Sequence, residues 1–255
     1  MRNRLFLSAG CRLLNSVVRY RFILENGQSF DFQVDRQRVF NREVDATRHE
    51  FWTRLEFSRC DNCPLAPASF GHCPVAVDIE RIAVRFKNIL SFERVQVEVQ
   101  TPERFYAKPC DAQTGLRSLL GLVMATSACP ILGQFRALAA THLPFATMEE
   151  TLFRSAGAYL LRQYFIFKEG GAPDWDLRHL EQFYQELQTV NRCLNGRLVA
   201  ASQKDANLNA IGALLYVSLG VSFSLEDNLR ELRPLFYPEG GPSAASDNLG
   251  APGTL

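Results

Sequence analysis

Three cysteines fall within fourteen residues of this chain, and a fourth repeats their Cys-Pro pattern at a distance. Cys60 and Cys63 flank Asp61 and Asn62 and are followed by Pro64; Cys73 precedes Pro74, and Cys129 precedes Pro130. A two-residue separation lets both thiolates of Cys60 and Cys63 face one ion from a tight turn. Cys73 follows on the far side of a loop containing proline, alanine and glycine, which makes three donors from one knuckle. A structural zinc takes four ligands, so a fourth must arrive from elsewhere in the chain. Cys129 is the leading candidate because it repeats the Cys-Pro pattern. His72 is adjacent to Cys73, and neighbours rarely ligate one ion together; His142 is a third option. If the four thiols meet, the fold must return residue 129 to the segment 60–73.

The Cys-Pro pairs have a physical reading. Proline favours the first helical turn, so the cysteine before it becomes an N-cap. There the first amides and the helix dipole favour a thiolate. The site expected from the sequence is therefore Cys60, Cys63, Cys73 and Cys129 holding structural zinc, with an iron–sulfur cluster as the alternative. Buried, unligated thiols and a redox dithiol at Cys60 and Cys63 are competing readings. The dithiol is disfavoured because the segment before Cys60 reads as a strand, with no helix carrying the first thiol.

The remaining cysteines argue against a disulfide scaffold. Seven is an odd number, and 255 residues is too long for a fold that depends on staples. Cys11, Cys110 and Cys193 read as isolated, reduced thiols, with Cys193 a small core residue on an amphipathic helix. These features place the protein in the cytoplasm. Leu7-Ser8-Ala9-Gly10-Cys11 looks like a lipoprotein cleavage site, but the apolar run before it is too short for a signal segment. The longest apolar stretch, 116–133, is broken by Arg117 and Pro130, so no membrane span is expected. A net charge of +1 supplies no field toward nucleic acid or membrane. Arginine outnumbers lysine 24 to 4, which fits a GC-rich genome better than a phosphate-binding surface.

Periodicity predicts an α+β fold: a small N-terminal antiparallel sheet domain with one helix, then a C-terminal helical domain. The divisions are an extension at 1–16, an α+β domain at 17–108 carrying the knuckle, a helical domain at 109–237 and a disordered tail at 238–255. Residues 17–35 alternate as a hairpin about Asn26-Gly27, a pair suited to a type I′ turn. Further strands are expected at 51–57 and 93–100, with a helix between them on Ile79, Ile82, Ala83 and Phe86. After Pro109 the chain reads as wholly helical. A helix is expected over 113–127 and another after Pro130. Thr147 and Glu150 form a capping box for a helix reaching about 167. Asp174 or Asp176 caps the next, whose stripe includes Leu180, Tyr184, Leu187, Leu194 and Leu198.

Trp52-Thr53-Arg54-Leu55, the Cys60–Leu65 knuckle, His72-Cys73-Pro74, the segment Ser118–Pro130 and His142–Thr147 with Glu149-Glu150-Thr151 together resemble an uncharacterised bacterial family of unknown function. The resemblance spans most of 17–220. It implies no activity, but it implies that the two cysteine regions belong to one design.

Other polar residues are weaker candidates. His142 lies in a loop near Glu149 and Glu150 and could serve acid–base chemistry, although Glu150 already has a capping role. Arg154 could pair with Glu150 or face an anionic ligand. Asp205 and Asn209 share a helix face, and with Asn191 and Arg197 they could line a polar pocket. The overall expectation is a non-enzymatic, metal-stabilised module that binds a protein partner or a small ligand. The alternative is an iron–sulfur or thiol-dependent enzyme or redox sensor using Cys129 and His142.

Overall fold

A computed structural model describes residues 16–37, 48–223 and 225–237. The expectations for the extension around Cys11 and for the tail from 238 lie outside these residues. Four antiparallel strands form one sheet in the order β2-β1-β3-β4: β1 Val17–Leu24, β2 Ser29–Asp35, β3 Arg94–Gln100 and β4 Phe105–Asp111. Alternation puts Val18, Tyr20, Phe22, Leu24, Phe30, Phe32, Val95, Val97 and Val99 on one buried face. Helices cover that face. They are α1 Pro74–Phe86, α2 Ala112–Ala125, α3 Arg136–Ala140, α4 Met148–Lys168, α5 Arg178–Ala201, α6 Ala206–Phe223 and α7 Leu225–Leu232. The sheet, α1, α2, α5 and α6 share one buried apolar cluster, and a second joins α4, α5 and α7.

The α+β architecture matches the sequence reading, with local corrections. The β1–β2 turn is not type I′. Gly27 N–H donates to Leu24 O at 3.0 Å and Leu24 N–H to Gln28 O at 2.9 Å, which closes a three-residue loop. Only Gly27 in that loop has positive φ, at 83°. That is the glycine position of a turn followed by a bulge. The strand expected at 51–57 is a 3-10 turn at Phe51–Thr53 followed by one bridge between Arg54 and His72. Its alternation was irregular because Trp52, Thr53 and Leu55 are buried from a turn.

Pro109 does not start the helical region. It sits within β4, opposite Gln96, on the outermost strand of the sheet, where a missing N–H breaks no ladder. The helix expected after Pro130 is a 3-10 turn at Leu132–Phe135 and then the short α3. The capping box at Thr147 and Glu150 is present in both directions. Neither aspartate is the N-cap of α5. That position is Leu177, with φ of 61°, while Asp174 accepts the His179 N–H at 2.9 Å from outside the helix.

Contrary to the expectation of no membrane-length segment, α6 is long and apolar enough to cross a bilayer by length and composition alone. Ala206, Asn207, Ala210, Ile211, Ser218 and Val221 bury one side of it in the protein.

Gly115 sets how closely α2 approaches the sheet. A Cβ there would lie 2.7 Å from Phe22 Cε1 and 2.8 Å from Val97 Cγ2. Alanine normally gains up to about 1 kcal/mol over glycine inside a helix. Here overpacking outweighs that gain, and Gly115→Ala is expected to cost about 1–3 kcal/mol. Urea denaturation checks it: the midpoint should fall, and an unchanged or higher midpoint would show that α2 has room to move.

Candidate functional site

The fold brings the four cysteines to one small cavity. It is lined by Cys60, Cys63, Cys73 and Cys129, with Leu65, Pro74, Val75, Ile131, Val190, Leu194 and Arg197. Cys63 N–H bonds Cys60 O at 3.0 Å, closing the expected tight turn. Cys73 is the N-cap of α1, with Pro74 opening the helix, and its own N–H bonds Thr53 O at 2.8 Å. Cys129 arrives on the turn after α2, its N–H held by Ser127 Oγ at 3.2 Å. His72 instead bonds Thr53 Oγ1 through Nδ1 at 2.8 Å. His142 lines a different cavity.

Cys73 is buried, Cys60, Cys63 and Cys129 are half-buried, and the thiols sense one another. Burial pushes Cys60 far above the usual thiol range, and Cys193, Cys73 and Cys129 push the same way. Burial also raises Cys73, against the pull of Arg197 and the amides of Ala76 and Val75, although no side-chain cap hydrogen bond closes. Cys129 is pushed up to about 11 by burial, opposed by the Leu132 and Ile131 amides. A nucleophilic or redox thiol needs the opposite shift. A metal would have to displace these protons, which makes its binding pH-dependent. Among the described residues, no three His, Cys, Asp or Glu side chains form a group able to hold a metal ion as they stand.

Two residues of this site were not singled out for it. Cys193 reads in the sequence as an isolated core thiol, yet it lies close enough to Cys60 to help push that thiol up. Arg197 is 1 % exposed. Its Nη1 donates to Trp52 O at 2.6 Å and Arg54 O at 2.7 Å, and its Nη2 to Leu55 O at 3.1 Å. It has no carboxylate partner among the described residues. The signal was present in the helical spacing: Val190, Cys193, Leu194 and Arg197 recur at i, i+3, i+4 and i+7 along one face of α5.

The polar pocket expected from Asn191, Arg197, Asp205 and Asn209 does not exist as a unit. Arg197 faces the cysteine cavity, whereas Asn191 lines the larger neighbouring one. Asp205 accepts from Ser91 N–H at 2.8 Å and Ser91 Oγ at 2.9 Å, and Asn209 Nδ2 donates to Asp205 at 3.0 Å. This arrangement ties the start of α6 to the loop before β3.

His142 belongs to a relay under the sheet. Phe145 N–H donates to Ser118 Oγ at 3.0 Å, Ser118 lies 2.7 Å from Tyr20 Oη, and Tyr20 Oη lies 2.6 Å from His142 Nε2. In the order Ser118 to Tyr20 to His142 each hydroxyl hydrogen has an acceptor, and the ring accepts at Nε2. Burial, with Arg154 and Arg36 nearby, pushes His142 from 6.5 down to about 3. The unfolded ring therefore binds a proton that the folded ring refuses. Stability is full above pH 6.5 and is lost as pH falls from there toward 3. The slope is at most about 1.4 kcal/mol per pH unit. His142→Asn should flatten that limb in urea titrations between pH 7 and 5. An unchanged slope would place the proton uptake elsewhere.

The chain is a four-stranded antiparallel sheet backed by helices, with Cys60, Cys63, Cys73 and Cys129 lining one small cavity against α5. The chain belongs to the family described as Domain of unknown function (DUF6901), which matches residues 18–237. No curated protein and no solved structure matches it.

Proposed function

We propose that this chain is a cytoplasmic binding or regulatory module built around a metal centre on Cys60, Cys63, Cys73 and Cys129. The observation that carries the reading is the shared cavity of these four thiols with the buried, carboxylate-free Arg197 in its wall. A buried cation requires compensation. Carbonyl dipoles supply part of it, and a centre with four thiolates supplies net negative charge.

The sequence favoured zinc. A single zinc ion draws all four sulfurs to about 2.3 Å from itself. A four-iron cluster anchors each thiolate to a separate iron and tolerates a wider set. Thiols that share a cavity without forming a single-ion group therefore favour the cluster. Four protein ligands leave no open position for substrate, so the centre would serve stability or electron exchange rather than hydrolysis.

The test is the absorption spectrum of protein purified without oxygen. A broad visible band that bleaches on reduction supports the cluster. A colourless sample with stoichiometric zinc keeps the four-cysteine module and replaces the cluster. A colourless, metal-free sample ends the proposal.

A further inference from the structure

Beside the cysteine cavity, across α5, lies a larger cavity of about 160 Å³. Its walls are mainly apolar, including Leu122, Leu132, Phe135, Leu187 and Leu214. The polar groups in it are unevenly signed: Arg117, Arg154 and His142 line it, and no aspartate or glutamate does. Arg154 Nη2 is engaged with Leu138 O at 2.9 Å and Thr141 O at 2.7 Å. Arg117 is half-buried and makes no hydrogen bond or ion pair among the described residues. The relay through Tyr20 engages His142 Nε2.

A second, independent observation points to an occupant. Asn191 is 1 % exposed, and its Oδ1 has no hydrogen-bond partner. Such an acceptor inside a protein costs about 1–3 kcal/mol unless something donates to it. Its Nδ2 reaches only Ser218 Oγ, at 3.5 Å. The strained backbone of Phe145, with φ of 60°, also borders the cavity. A bulky side chain holds that conformation only where its surroundings fix it.

We infer that this cavity binds a small apolar carboxylate, its anionic end held by Arg117 and its body packed on the leucine wall. A cavity of about 150 Å³ holds a benzene ring, so the occupant is a small aryl or short-chain acid of roughly ten non-hydrogen atoms. A hydroxyl or N–H on its body would satisfy Asn191.

The experiment titrates the full chain calorimetrically with phenylacetate and, for comparison, with 2-phenylethanol, its neutral counterpart. Phenylacetate is expected to bind at least tenfold more tightly than the alcohol. Arg117→Met should remove that preference while leaving the weak alcohol binding intact. Leu214→Trp, which fills the space without touching a charge, should abolish both. Arg117→Lys guards against a folding artefact, because it should retain most of the preference for the acid. The inference is overturned if phenylacetate shows no binding at millimolar concentration, if the alcohol binds as well as the acid, or if Leu214→Trp changes nothing. None of these outcomes depends on the metal content of the cysteine site.

Discussion

Arg197→Met is expected to lose about 3–5 kcal/mol of stability, the range for breaking a buried charged network. One guanidinium accepts the task of tying α5 to the segment before the knuckle. It reaches three carbonyls, of Trp52, Arg54 and Leu55. Methionine fills most of the volume but donates nothing, so carbonyls that stay buried lose their partners. The chain entering Cys60 would then lose its anchor. The substitution should therefore also reduce metal retention, because Cys60 and Cys63 depend on that segment for position. Arg197→Lys keeps the charge and loses the fork. It is expected to fall between wild type and methionine in urea midpoint. A methionine variant as stable as wild type would show that the three hydrogen bonds are idle.

Cys129→Ser is the second large effect. Serine nearly preserves the volume and the amide contacts, so packing alone predicts little change. In the proposed metal centre, however, Cys129 as fourth ligand would carry binding free energy that is also folding free energy. A loss of about 3 kcal/mol would lower Tm by roughly 6–12 °C for a chain of this size. Metal content should fall with it. Cys193→Ser is the control: it removes the thiol beside Cys60 but not a proposed ligand. It should leave metal content intact. If Cys193→Ser strips the metal and Cys129→Ser does not, the fourth ligand has been misassigned.

Much of the architecture was legible because it rests on local periodicity. Alternation in Val17–Leu24 and Arg94–Gln100, the Thr147–Glu150 box and the α5 stripe each report a single element facing a single core. β4 was not legible, because Pro109 reads as a strand breaker until one knows that it lies at a sheet edge. The Phe51–Phe57 segment misled because burial there comes from α5 packing on a turn and not from a pleat. That the four cysteines line one small cavity was readable from spacing and the repeated proline, while among the described residues no three of them form a metal-holding group. The part played by Arg197 was not, since a buried arginine is unexpected on an apolar stripe and its partners are carbonyls more than 140 residues away. The neighbouring cavity was hidden for a similar reason: Arg117, His142 and Asn191 line it together only when α2, the loop before α4 and α5 are packed.

The most direct measurement is the iron, zinc and acid-labile sulfide content per chain of protein prepared anaerobically without added metal. The account predicts one metal centre per chain, with iron and sulfide in equal amounts, about four of each for a cubane cluster on four cysteines. Chain that is fully folded, monodisperse and free of iron, zinc and sulfide would contradict it.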